Sequence, residues 1–299
     1  MSHQIAEEEL YLWRCEAIAS AKAAGVLPAE VDWLLHAAAG VDTLSLRLLS
    51  GQGRSPIQLK QSLSAINKLW GRRLVERLPL QYLVGYTHWR HFTLKVTPAV
   101  LIPRPETECL IDLVLQAVKE SSGQDLSSGN WVDLGTGSGA IALGLAEIFT
   151  YARVYGVDSR GDALEIAREN AIIASLAERI AFYQGSWWEP LEFLQGKVSG
   201  MVSNPPYIPT ATIPTLQIEV AKHEPLLALD GGKDGLEHIR YLIQTAPDYL
   251  VSGGIWLIEM MAGQAEKVAL LLEEQGSYRQ IQIFSDLAGI ARFALAYRC

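Results

Sequence analysis

The most constraining stretch of this chain is Trp131-Val132-Asp133-Leu134, which runs into Gly135-Thr136-Gly137-Ser138-Gly139 and then into the apolar segment Ala140 to Ile148. A short buried strand, a glycine turn and a helix, in that order, open a parallel strand–helix–strand unit. The alternation then repeats. Arg153 to Val157 is a second strand, followed by a helix carrying Leu164, Ile166 and Ala167. Ile180 to Tyr183 is a third strand and Val198 to Ser203 a fourth. Gly254 to Met260 is a fifth, preceded by a helix over Gly235 to Leu250. Ile281 to Phe284 and Ala291 to Tyr297 read as a closing strand pair. The expected fold class is α/β, a Rossmann-like parallel sheet with helices on both faces. Such sheets bind ligands at the carboxyl ends of their strands.

Residues 1–75 read differently, as short helices. Leu10, Trp13, Ala17 and Ala21 share one stripe, ended by Gly25. Pro28 opens a second helix bearing Val31, Leu34, Leu35 and Ala38, closed by Gly40. Ser55-Pro56 is an expected helix start, with Leu59, Leu63, Ile66 and Trp70 as the apolar face. In residues 76–105, Phe92, Leu94 and Val96 alternate with Thr93, Lys95 and Thr97, so a β-hairpin is expected to link the two parts. Pro103-Arg104-Pro105 stiffens its exit. Leu110, Ile111, Val114, Leu115 and Val118 mark an amphipathic helix ended by Ser121-Ser122-Gly123. The expected organisation is a helical domain over 1–75, a hairpin linker over 76–105 and the α/β domain over 106–299.

Composition narrows the class. With 299 residues, 49% of them hydrophobic and 19% charged, the chain can bury a core without disulfides or metal. Cys15, Cys109 and Cys299 form neither a disulfide framework nor a zinc spacing, and read as reduced thiols of a cytoplasmic protein. A net charge of −8 and a pI near 5.3 argue against a generic nucleic-acid or anionic-membrane binder. No run reaches the roughly 18 apolar residues of a membrane span, and the acidic N-terminus lacks a secretory core.

The chemistry concentrates at three strand ends. Glycines from Gly135 to Gly139 let the backbone turn tightly and approach a ligand at a helix N-terminus. Asp158, ending the next strand, can accept both hydroxyls of a ribose. Gly135, Gly137 and Ala140 also satisfy the dinucleotide fingerprint, so the loop alone leaves a hydride carrier and a methyl donor open. Asn204-Pro205-Pro206-Tyr207, after the fourth strand, separates them. A primary amide nitrogen is a poor nucleophile because its lone pair is delocalised into the carbonyl. Hydrogen bonds from its N–H groups to the Asn204 side-chain oxygen and the Pro205 carbonyl would raise electron density on nitrogen and aim its lone pair. Tyr207 is expected to pack its ring against the flat substrate group.

Asp133-Leu-Gly-Thr-Gly-Ser-Gly139, Asp158 and Asn204-Pro-Pro-Tyr207 resemble the class I S-adenosylmethionine-dependent methyltransferases that modify planar nitrogens. Pro79-Leu-Gln-Tyr-Leu-Val-Gly85, Leu101-Ile-Pro-Arg-Pro-Glu-Thr-Glu108 and His223-Glu-Pro-Leu-Leu-Ala-Leu-Asp-Gly-Gly-Lys-Asp-Gly-Leu236 resemble the peptide chain release factor glutamine methyltransferases, the HemK/PrmC family. The resemblance is diffuse over the first 75 residues and dense from about 79 to 260. It implies methyl transfer from S-adenosylmethionine to the side-chain nitrogen of the glutamine in the Gly-Gly-Gln motif of class 1 release factors. By the same resemblance Gly135, Thr136, Gly137, Ser138 and Gly139 wrap the methionine end of the cofactor, Asp158 holds the ribose and Trp187 flanks the adenine. Asn204, Pro205, Pro206 and Tyr207 hold the glutamine amide, with Asn204 also beside the cofactor. The helical domain contacts the release factor. Ser186 stands where relatives often carry Asp, the adjacent Trp188 competes with Trp187 for the adenine, and Glu259-Met260-Met261-Ala262-Gly263-Gln264 departs from the usual glycine-containing sequence. A monomer without DNA, membrane or metal partners is expected.

An adenine-N6 nucleic-acid methyltransferase is the alternative, since the same loop can grip an adenine amino group. Against it stand the low pI and the lack of a basic recognition domain. Intact Asn204 and Asp158 argue against a catalytically silent cofactor-binding protein, and a dehydrogenase leaves Asn204 to Tyr207 without purpose. His36 reads as structural, His88 and His91 lack the company of a metal site, and Arg72, Arg73 and Arg77 read as a solvated basic face. Glu106 and Glu108 open a helix, where negative charge is favoured, with a cofactor-side role as the alternative.

Overall fold

The computed structural model describes residues 3–50, 56–121 and 125–299. Ser55, Ser122 and Gly123, named above as helix signals, lie outside the described residues. The chain divides into two compact units, 1–85 and 86–299.

The first unit contains β1 (His3–Ile5), α1 (Glu7–Ala23), α2 (Ala29–Ala39), α3 (Thr43–Leu48), β2 (Ile57–Leu59), α4 (Leu63–Val75) and α5 (Leu80–Val84). Leu10, Trp13, Ala17 and Ala21 of α1 bury one face, and Val31, Leu34, Leu35 and Ala38 of α2 bury another in the same core. Gly40 ends α2 at φ +73°, a left-handed cap that glycine adopts without a Cβ penalty. The helix expected from Ser55-Pro56 starts later. Residues 57–59 pair antiparallel with β1, Leu59 opposite His3, and α4 begins after Ser62, whose hydroxyl accepts from the Ala65 N–H at 3.2 Å. Leu59 thus reaches the core from a strand.

The basic triplet is only in part a solvated face. Arg73 is buried and forks onto Glu30 at 2.6 and 2.9 Å, a bidentate geometry that compensates its desolvation. Arg77 donates to the Ala24 carbonyl at the end of α1, and Arg72 pairs with Glu76. His36 Nδ1 lies 3.0 Å from the Val41 carbonyl, a structural contact.

The second unit begins with the hairpin β3 (Tyr86–Trp89) and β4 (Phe92–Lys95). Then come α6 (Cys109–Glu120), β5 (Asn130–Leu134), α7 (Ala140–Ile148), β6 (Arg153–Asp158), α8 (Gly161–Ile173), β7 (Ile180–Gln184) and β8 (Val198–Ser203). α9 (Ile218–His223), α10 (Glu237–Thr245), β9 (Leu250–Glu259), α11 (Ala265–Gln275), β10 (Tyr278–Ser285) and β11 (Ala291–Arg298) complete it. The hairpin packs Trp89, Phe92 and Leu94 into the same core layer as Leu110, Ile111 and Val114 of α6, so it belongs to this unit. The helix expected over Gly235 to Leu250 is shorter. Pro247 sits in a 3-10 turn over Ala246–Asp248, and Leu250 already starts β9.

The seven-stranded sheet has the order β10-β11-β9-β8-β5-β6-β7. β9, β8, β5, β6 and β7 are parallel, while β11 runs antiparallel to both β9 and β10. This is the Rossmann-like α/β class. Successive β5 residues alternate between layers: Trp131 packs under α6 and α7, whereas Val132 and Leu134 face the layer that includes α10 and α11. Among the described residues no helix is long and apolar enough to cross a membrane, and no cluster of His, Cys, Asp and Glu is arranged to hold a metal.

Candidate active site

The sheet reverses its direction of growth at β5, with β6 on one side and β8 on the other. A crevice opens outside the strand ends at such a switch point. Here it is a cleft of about 410 Å³, lined by Gly135, Thr136, Gly137, Ser138, Asp158, Ser186, Trp187, Asn204 and Pro206, and walled by the segments around Ala99–Pro103, Pro225–Gly232 and His238. Three strand ends widely separated in sequence therefore converge on one space.

The glycine loop is shaped for close approach. Gly137 has φ +52° and open space where a Cβ would project, so a ligand can meet bare backbone. Gly139, at φ +84°, is set back from the wall. A Cβ there would lie 3.2 Å from that of Ala167, so this glycine seats α7 against α8 instead of touching a ligand. Asp133 anchors the loop from below, its Oδ2 accepting from the Thr136 hydroxyl at 2.5 Å and the Ala142 N–H at 3.0 Å. Complete burial pushes its pKa up to about 7 despite those two bonds.

Asp158 braces the same loop. Its Oδ2 accepts from the Gly137 N–H at 2.9 Å and its Oδ1 from the Arg160 N–H at 3.0 Å. Burial raises its pKa, and those N–H bonds pull it back. A carboxylate oxygen accepts more than one bond, so lone pairs remain for a ligand diol.

Trp187 lines the cleft and Trp188 does not. Trp187 has φ +53°, and its ring centroid lies 5.3 Å from that of His238. Trp188 is fully buried and stacks on Tyr249 at 4.2 Å. The left-handed backbone at Trp187 turns the two neighbouring indoles to different environments.

Asn204 follows β8, which is tied to β5 by the Ser203 hydroxyl donating to the Leu134 carbonyl at 2.5 Å. Asn204 Nδ2 donates to Thr107 Oγ1 at 3.3 Å. Thr107 donates to Glu259 Oε2 at 2.7 Å, and the Tyr207 hydroxyl donates to Glu259 Oε1 at 2.9 Å. Glu259, at the end of β9, is completely buried, which pushes its pKa up to about 7 against the pull of the two hydroxyl donors. The Tyr207 hydroxyl is thus committed to Glu259, and its half-buried side chain packs against the layer that includes α10 and α11. Burial and that carboxylate hold the phenol protonated. Pro205 is buried and off the wall, whereas Pro206 is on it.

The segment after Asn204 is clamped by a loop that only glycine permits. Ile208 exchanges backbone bonds with this loop, its N–H donating to Leu229 O at 2.9 Å and its carbonyl accepting from the Gly231 N–H at 2.8 Å. A Cβ on Gly235, at φ +75°, would stand 2.3 Å from the Tyr207 carbonyl. Gln264 completes the clamp, its Nε2 donating to the carbonyls of Tyr207 (3.1 Å) and Gly235 (3.2 Å).

Glu106 and Glu108 are off the cleft wall; Glu108 accepts from the Arg90 N–H at 2.8 Å at the hairpin turn. Thr107 between them reaches the site. His91 pairs with Glu147, and His88 meets Thr93. Sequence reasoning gave no role to Thr107, Glu259, Gln264 or His238. The available signal was a carboxylate ending an otherwise apolar strand, Ile255-Trp256-Leu257-Ile258-Glu259.

An aromatic face, a half-buried carboxylate with spare lone pairs and an exposed glycine backbone at a helix N-terminus are the donor and acceptor set that an adenosine group requires. A methyltransferase domain family matches residues 126–278. A release factor glutamine methyltransferase of Synechocystis sp. is 52% identical over 98% of this chain and 97% of its own. Its namesake in Thermosynechococcus vestitus is 47% identical over 92% of this chain and 95% of its own. Among solved structures, the hMettl16 catalytic domain, in complex with MAT2A 3'UTR hairpin 6, superposes with a TM-score of 0.55, covering 82% of this chain and 84% of that one. At 14% identity it speaks to the fold alone.

Proposed function

We infer the reaction from a premise that these relatives establish: the chain belongs to the release factor glutamine methyltransferases. It acts as an enzyme that transfers a methyl group from S-adenosylmethionine to the side-chain amide nitrogen of the glutamine in the Gly-Gly-Gln motif of class 1 release factors. The observation that carries this reading is Asn204 at the β8 end, its Nδ2 engaged by Thr107, facing the glycine loop across one cleft. The bound S-adenosylmethionine supplies an electrophilic methyl group.

The chain's own residues do the rest. Gly135 to Ser138 hold the amino-acid end of the cofactor, Asp158 the ribose hydroxyls and Trp187 the adenine face. Asn204 Oδ1 and the Pro205 carbonyl accept from the two N–H bonds of the glutamine amide, which raises electron density on its nitrogen and fixes the direction of its lone pair. Pro206 bounds the slot, and Tyr207 supports it from behind through Glu259. The amide nitrogen takes the methyl group as the sulfur–carbon bond breaks, the bond's electron pair stays with the departing S-adenosylhomocysteine, and the nitrogen sheds one proton to solvent. The helical region, residues 1–75, docks the folded release factor. Leu12, Leu27, Leu44, Leu48 and Val75 are exposed there and offer apolar surface to a protein partner. The enzyme works as a cytoplasmic monomer.

The test is incubation with labelled S-adenosylmethionine and three acceptors: a class 1 release factor, the same factor with its Gly-Gly-Gln glutamine changed to glutamate, and duplex DNA. Label in the first alone is expected. Label in DNA with none in the release factor refutes the reading.

A further inference from the structure

Glu259 is completely buried and off the cleft wall, yet it terminates the only hydrogen-bond chain that leads from Asn204 into the core among the described residues. We propose that Glu259 is a positioning residue that sets which face of the Asn204 amide meets the substrate, acting through the hydroxyl of Thr107. This rests on the reaction proposed above and names how its acceptor is oriented.

The argument is one of donor and acceptor count. An ionised carboxylate only accepts. Thr107 has one hydroxyl proton, and Glu259 Oε2 takes it at 2.7 Å. The Thr107 oxygen can then only accept from Asn204, so the Nδ2 edge of that amide must turn towards it, as the 3.3 Å contact has it. Oδ1 is left as the acceptor for a substrate N–H. The second hydroxyl donor, Tyr207, occupies Glu259 Oε1 and prevents the carboxylate from rotating away. With the amide reversed, Nδ2 would face the substrate NH2 group, donor against donor, and the slot would reject the glutamine it is meant to orient.

A neutral Glu259 carries a proton of its own, and the constraint lapses. Thr107 is then free to donate to Asn204 Oδ1. The groups that bear on this proton come from three segments: Thr107 and Glu106 of the turn before α6, Tyr207 after β8, and Arg292 of β11, whose guanidinium is paired with Asp286. Burial and the charge of Glu106 favour the neutral form; the two hydroxyls and Arg292 favour the carboxylate. With the carboxyl pushed up to about 7, the orienting form is lost as pH falls through neutrality.

The experiment measures kcat for release factor methylation between pH 6 and 8.5, with S-adenosylmethionine affinity followed by calorimetry. The wild-type kcat is expected to fall on acidification, and Glu259→Gln is expected to abolish that fall. Thr107→Val, close in shape, is expected to lower kcat by about 100-fold, the scale of a misplaced reacting group, with cofactor affinity unchanged. Thr107→Ser is expected to restore it. A Glu259→Gln profile that tracks the wild type, or a Thr107→Val enzyme with normal kcat, overturns the proposal. Loss of cofactor binding in both Thr107 variants reduces the residue to a structural role and also overturns it. Failure of the wild type to label the release factor at any pH overturns the proposed function, and this orientation role with it. Normal labelling with unaltered profiles overturns the orientation role alone.

Discussion

Gly235→Ala tests whether the loop clamped on the Asn204–Tyr207 segment holds the reactive geometry. Two costs can be separated. At φ +75° an L-residue loses roughly 1–2 kcal/mol relative to glycine, from its Cβ against the following carbonyl. The new Cβ would also stand 2.3 Å from the Tyr207 carbonyl oxygen and 2.7 Å from Gln264 Nε2. Real Cβ contacts essentially never fall below 3.0 Å, so the carbonyl must retreat by about 0.7 Å. Overpacking of this kind costs roughly 1–3 kcal/mol. The sum is a destabilisation of about 2–5 kcal/mol. The control is Gly276→Ala, at φ +77° with nothing within 4 Å of its Cβ, which carries the conformational cost of roughly 1–2 kcal/mol alone. Urea unfolding of the two variants isolates the clash as their difference. In the folded Gly235→Ala enzyme the retreat is carried back to Pro205 and Asn204, and a displacement near 1 Å lowers transfer by about 100-fold. Equal unfolding free energies for the two variants, with transfer intact in both, would refute the reasoning.

Asp158→Ala is expected to weaken S-adenosylmethionine binding by roughly 1.5–3 kcal/mol, about 10–150-fold, by loss of a charge-assisted hydrogen bond; unchanged affinity in calorimetry removes it from the site. Asn204→Ala should lower methyl transfer by about 100-fold or more while sparing cofactor affinity, as single-turnover and binding measurements would reveal. Asp133→Asn probes pH-linked stability. The folded pKa of Asp133 is about 7, above its ordinary value, so the native state holds the proton more tightly and stability falls as pH rises from 4 to 7, by at most ~1.4 kcal/mol per pH unit. The Asn variant should show a shallower decline in its urea midpoints over that range, and an unchanged slope counts against a buried, titrating Asp133.

What was legible in the sequence follows the range of the interaction involved. The strands from β5 to β8 and the helix over Ala140–Ile148 announce themselves by local pattern, and the glycine loop lies where a strand meets a helix. Asn204 was legible because a polar residue directly after a buried strand and before two prolines has few structural uses. Features fixed by distant partners were hidden. Thr107 and Glu259 are 152 residues apart, and nothing local at either marks the bond. Tyr207 read as a free aromatic because its partner lies 52 residues on. Arg73 looked solvated for the same reason, with Glu30 43 residues away. Trp187 and Trp188 are chemically identical, and a left-handed backbone turn alone sends one to the cleft and the other to the core. Ser62 caps α4, since residues 57–59 are drawn into pairing with β1.

The place of β11 in the sheet has a consequence for how the protein is made. β11 lies between β9 and β10 yet follows both in sequence. While residues 291–298 are still to be synthesised, β9 has a partner on one side only, and β10 has no strand to join. The uncovered edge of β9 runs through Ile255, Trp256, Leu257 and Ile258, all fully buried in the finished sheet. An apolar, uncharged strand edge without proline is a template for pairing with other chains. Until the β10–β11 hairpin closes over it, the folding protein presents this edge, and its escape from aggregation depends on chaperone cover or on the speed of that closure.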